Sequence, residues 1–132
     1  MAIDYGSRRI GVAISDSGVL ATPHSVVLNQ GDVVERLAGL ARQLDAHTIV
    51  VGLPRRQFRQ AGDQKFRDFA EQLRQKTCKE VVLWDEALTT VEAAEGLRAA
   101  GRKRRDAQRE IDMHAAAIIL QSYLDDRAGR AS

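Results

Sequence analysis

The run His47-Thr48-Ile49-Val50-Val51-Gly52 limits the possible folds of this chain more than any other stretch. It is apolar and β-branched, with almost no polar alternation. A strand of that composition has both faces covered, so it belongs inside a parallel arrangement with helices on either side. Gly52-Leu53-Pro54 stops it. A second apolar run, Glu80-Val81-Val82-Leu83-Trp84, leads straight into Asp85-Glu86.

Helical patterns flank these two strands. Asp32 stands as an N-cap, with Glu35 at the capping-box position, before a stripe of Val33, Leu37, Leu40 and Leu44. A second helix is expected over 63–77, with Phe66, Phe69, Ala70 and Leu73 on one face. Thr89 and Glu92 form another capping box, and that helix turns Val91, Ala94 and Leu97 inward before Gly101 ends it. A basic linker runs from Arg102 to Arg109. The last helix is expected from near Ile111 to about Asp126. Ile111, Ala115, Ile118, Ile119 and Ser122 face inward, and Asp112 lies in the first turn.

Upstream, residues 1–16 read as two strands joined at Gly6-Ser7, with Gly6 supplying a positive φ. A third run, Val19 to Leu28, contains Pro23, which cannot donate to a ladder and marks a sheet edge or a bend. Three strands so closely spaced form an antiparallel meander. The order β-β-β-α-β-α-β-α-α gives an α/β fold: a five-stranded mixed sheet, three strands antiparallel and two parallel, with helices on both faces. The expected boundaries are one domain over residues 1–127 and a loose tail over 128–132.

The 132 residues, 44% hydrophobic, suffice for one core. Twenty basic against 18 acidic residues leave a net charge of +2, so total charge does not announce a nucleic-acid binder and the placement of charges matters more. Cys78 is the sole cysteine, which excludes an intrachain disulfide and fits a reducing cytoplasm. No apolar run approaches the roughly 20 residues of a membrane helix, and the start of the chain is unlike a signal peptide.

In open α/β sheets ligands gather beyond the carboxyl ends of the parallel strands. Here that rule selects Asp4, Gly52-Leu53-Pro54 and Asp85-Glu86, and Asp112 joins them if the last helix packs back across the sheet. Alone, Asp4 reads better as a cap on its turn than as a metal ligand. Gathered carboxylates repel one another unless cations bind. Mg²⁺ or Mn²⁺ suits such oxygens, and two ions about 4 Å apart clamp a phosphodiester undergoing in-line displacement. His24, His47 and His114 are too scattered for a zinc site. Basic groups follow the same rim: Arg8 and Arg9; Arg55, Arg56 and Arg59; and Arg102, Lys103, Arg104 and Arg105. Each is either a solvated charge run or a set of phosphate contacts for nucleic acid.

Four stretches in order resemble the YqgF/RuvX family of the ribonuclease H-like superfamily. They are Asp4-Tyr5-Gly6 with Arg9-Ile10-Gly11-Val12-Ala13; Val50-Val51-Gly52-Leu53-Pro54; the segment from Asp85 to Ala93; and the segment from Asp112 to Leu124. The resemblance implies a metal-dependent nuclease acting on small-subunit rRNA precursor or on branched DNA such as Holliday junctions, as monomer or homodimer. It also implies that Asp4, one acid of Asp85-Glu86, and Asp112 are the metal ligands. Two departures are Ala87, where the family usually has arginine, and Arg55-Arg56-Gln57-Phe58-Arg59, where it usually has an Asn and a Gly-rich segment. The rival reading is a non-catalytic RNA-binding ribosome-assembly factor on the same fold. An actin-like nucleotide site needs two such domains, for which 132 residues are too few.

Overall fold

Every strand expected from the sequence forms, in a sheet ordered β3-β2-β1-β4-β5. The structure is a computed structural model that describes residues 1–53, 63–85 and 104–131. β1 (Ala2–Tyr5), β2 (Arg9–Ile14) and β3 (Thr22–Leu28) make the antiparallel meander. β4 (Thr48–Leu53) and β5 (Glu80–Asp85) continue it as parallel strands beside β1. β4 is buried along Ile49–Leu53, as its unbroken apolar run requires. Pro23 lies in the edge strand β3. Val12 pairs with Ser25 and Ala13 with Pro23, so His24 is the extra residue of a bulge beside the proline.

Two apolar layers sandwich the sheet. Alternation along β1 sends Ile3 to one face and Ala2 to the other. The Ile3 face packs against α1 (Val33–Gln43) and α2 (Asp63–Thr77) through Leu37, Ala41, Phe69 and Leu73. The Ala2 face packs against α3 (Arg104–Ala131) through Ala116, Ile119, Leu120 and Tyr123. Phe66, Phe69, Ala70 and Leu73 of α2 are all buried, as their spacing predicts. α3 lies mainly across β2, with β1 and β3 beside it.

Several local expectations are corrected. Gly6 does not take a positive φ; it is required because a Cβ there would lie 2.4 Å from the Arg9 carbonyl oxygen. The loop 6–8 is instead fastened to the end of β3, where the Asn29 side chain donates to the Gly6 carbonyl at 2.8 Å. Asp32 accepts from the Glu35 backbone N–H as an N-cap should, but the Glu35 carboxylate turns away to Lys76 and Arg42, so half the capping box is missing. In α1 the buried stripe includes Ala38 and Ala41, while Leu40 and Leu44 are half-buried.

The largest difference concerns α3. It begins at Arg104 and continues through Ala131, past the expected limits of Ile111 and Asp126 and into residues 128–131. Residues 104–109, expected as linker, are helical. Asp112 therefore stands in the third turn, about 12 Å from the helix start rather than at it. Ser122 is exposed and accepts a hydrogen bond from the Trp84 indole, while Tyr123 takes the buried position. The helix expected between Thr89 and Gly101 lies outside the described residues.

Candidate active site

Asp4 is the third residue of β1, and two neighbouring strands fix its place. It pairs with Gly11 of β2 on one side and with Gly52 of β4 on the other. Alternation puts it on the same face as Ala2, the face covered by α3. Tyr5, the next residue, points the other way into Phe66 and Phe69. Asp4 is half-buried and interacts with its surroundings.

Gly11 lets the helix come down beside this aspartate. A Cβ at Gly11 would sit 1.9 Å from the backbone carbonyl oxygen of Asp112 and 2.5 Å from its carbon. No side chain other than hydrogen fits between strand and helix there. Asp4 is cross-strand neighbour to Gly11, and Asp112 lies directly over the same glycine. Two acids 108 positions apart in the chain thus flank one residue.

Arg9 stands on the same face of β2, two residues from Gly11 and diagonal to Asp4, a spacing of roughly 7–8 Å in such a ladder. Its Nε donates to Asp112 Oδ2 at 2.8 Å. The other carboxylate oxygen, Oδ1, accepts from the side-chain amide of Gln108 one turn earlier, at 3.2 Å. Asp112 retains only 16% side-chain exposure, so this guanidinium balances a carboxylate largely withdrawn from water.

The remaining expected residues divide cleanly. Asp85 is the last residue of β5, paired with Leu53 at the carboxyl ends of the parallel strands, and it is described by its backbone alone. Glu86, Arg55, Arg56, Arg59, Arg102 and Lys103 lie outside the described residues. Arg104 and Arg105 form the first turn of α3, described by their backbone. Arg8 is exposed in the β1–β2 loop, and Arg109 is exposed about one turn further along the basic end of α3. His24, His47 and His114 are all exposed and sit on different elements. Among the described residues no group of three His, Cys, Asp or Glu side chains is gathered for a metal; the side chains of Asp85 and Glu86 are not among those described. The carboxylates of Asp4 and Asp112 are donors of the kind Mg²⁺ takes, since it uses one or two protein carboxylates and keeps part of its hydration.

Sequence reasoning missed two participants. Gln108 was visible as an i, i+4 partner of Asp112 once the helix is known to start before it. The packing role of Gly11 was signalled by a glycine inside an otherwise β-branched strand, a mark of close backbone approach.

Sheet order and the two helix layers define a fold of the ribonuclease H-like class. A Thermus thermophilus RuvC structure superposes on it with a TM-score of 0.56 over 96% of this chain and 94% of that one, at 15% identity, which speaks for the fold. The chain belongs to the RuvX family, described as Holliday junction resolvase, whose family model matches residues 1–126. A relative from Mycolicibacterium paratuberculosis named "Putative pre-16S rRNA nuclease" is 45% identical, with 96% of this chain and 80% of that protein covered. A relative of the same name from Halothermothrix orenii is 39% identical over 95% of this chain and 93% of its own length. The family is one of nucleases acting on nucleic acid. No helix among the described residues is long and apolar enough to cross a membrane.

Proposed function

We propose that this protein is a divalent-metal-dependent endonuclease that trims the small-subunit rRNA precursor. The observation that carries the reading is the convergence of Asp4 and Asp112 on Gly11. Carboxylates are brought together at a sheet rim at a cost in repulsion, and a bound Mg²⁺ or Mn²⁺ offsets that cost. Asp4, Asp112 and one acid of Asp85-Glu86 would hold the metal. When bound, it supplies an activated water and neutralises charge on the leaving oxygen of a phosphodiester.

The chain's own residues do the rest. β2 and β4 hold Asp4 between Gly11 and Gly52, so no side chain stands directly opposite it on either neighbouring strand. Gln108 orients the Asp112 carboxylate. Arg8 and Arg109 offer exposed cations for the phosphates on either side of the scissile bond. RNA precursor is favoured over branched DNA by the names of near-full-length relatives at 39–45% identity.

A side-by-side assay tests this. The protein with Mg²⁺ or Mn²⁺ should cut a pre-16S rRNA fragment and leave a four-way DNA junction intact, and Asp4→Asn should abolish cutting while RNA binding persists. Preferential junction cleavage would move the substrate to branched DNA. Equal cleavage by parent and Asp4→Asn would remove the metal assignment and leave the binding-factor reading.

A further inference from the structure

We propose that Arg9 is a built-in competitor for the divalent cation, its guanidinium holding the Asp112 carboxylate until the metal displaces it toward a substrate phosphate. The proposal rests on the reading of Asp4 and Asp112 as metal ligands.

Both oxygens of Asp112 already have partners: Arg9 Nε at 2.8 Å and the Gln108 amide at 3.2 Å. Gln108 is neutral, so Arg9 is the charge that a cation at Asp112 must replace. The two halves of the ion pair are unequally exposed. Asp112 keeps 16% of its side-chain surface, whereas Arg9 keeps 40%. The carboxylate is fixed under the helix, but the guanidinium can swing into water without disturbing the core. Its backbone would not move, because β2 is laddered on both sides and Arg9 itself pairs with Leu28 of β3.

Where Arg9 would go is set by its neighbours. It sits at the start of β2 beside the exposed Arg8, on the rim where the scissile phosphate must approach Asp4. Guanidinium has five donors in a planar fork that suits a phosphate oxygen pair as well as a carboxylate. One side chain thus lowers acid–acid repulsion in the metal-free protein and joins the substrate site once metal arrives. The same charge weakens metal affinity, since it stabilises the metal-free carboxylate.

The test is Mn²⁺ titration of the full chain by calorimetry, without substrate, on the parent, Arg9→Gln, Arg9→Lys and Asp4→Asn. Arg9→Gln is expected to bind Mn²⁺ about three- to tenfold more tightly, the range a partly exposed ion pair allows. Arg9→Lys, which retains the charge, stays near the parent. In parallel, the Arg9 Nε–H resonance of the parent protein should shift on adding Mg²⁺, a measurement that needs no variant to fold. Parent binding that Asp4→Asn abolishes, with unchanged or weaker affinity in Arg9→Gln and a stationary Arg9 resonance, overturns the competitor role and leaves the metal assignment standing. No Mn²⁺ binding by any of the four proteins overturns the metal assignment and the competitor role together.

Discussion

The Asp112 carbonyl oxygen lies so close over Gly11 that a methyl group there would overlap it, at 1.9 Å. Strand and helix touch backbone to backbone at the residue opposite Asp4. Gly11→Ala therefore has to push α3 off the sheet where the acid pair forms. The expected result is a loss of about 1–3 kcal/mol in denaturant unfolding, typical of overpacking against an unyielding neighbour. Cleavage should fall more steeply than stability, because the shift separates Asp112 from Asp4.

Asp112→Asn should behave differently from Asp4→Asn. Both should reduce metal-dependent cleavage by at least about two orders of magnitude, as loss of a ligand to a catalytic ion would. Asp112→Asn also leaves Arg9 without its ion-pair partner. That pair is partly exposed on the arginine side, so the added cost should be about 0.5–1 kcal/mol in metal-free buffer. Thermal melts in chelator check this: the midpoint of Asp112→Asn drops below that of the parent.

The adjacent acids at the end of β5 call for a paired test. The family resemblance implies one metal ligand from this pair; Asp85 ends β5, and Glu86 lies outside the described residues. One of Asp85→Asn and Glu86→Gln should abolish cleavage and the other should leave most of it. Equal, severe loss in both would mean that the metal site takes more than one acid from this segment.

Much of the fold was legible because its signals are local. The unbroken apolar run of β4 announced a buried parallel strand, and Pro23 announced an edge. Turn and helix-end details were less legible. Gly6 was read for its backbone freedom, yet what it supplies is space against the Arg9 carbonyl. Charge at Arg102–Arg105 hid the true start of α3, since arginine and lysine suit a helix as well as a loop. Asp4 and Asp112 were expected as ligands individually, from their places at strand end and helix. That Arg9 would close on Asp112 is a tertiary event across 103 positions, which no spacing rule encodes.

A last prediction concerns the side of the sheet away from the acids. Lys76 of α2 reaches Glu35 of α1 at 3.0 Å, with Arg42 of α1 on the same carboxylate at 3.5 Å. The hydrogen bond to Glu35, with its attraction, raises the Lys76 pKa above its ordinary value of 10.5. A folded-state pKa raised above the unfolded one means that the folded state holds the proton more tightly. The resulting stability is fully present below pH 10.5 and disappears as pH climbs through the higher folded value. Lys76→Met should thus melt below the parent at neutral pH by the same margin from pH 7 to pH 9. The gap should close above pH 10.5, and it should shrink in high salt because the pair is open to solvent. Cleavage well below the melting point should be unchanged in this variant, since Glu35 and Lys76 pack on the α1–α2 face and Asp4 faces α3. A margin that persists at pH 12, or a parallel loss of cleavage, would show that Lys76 acts through packing or through the site rather than through this ion pair.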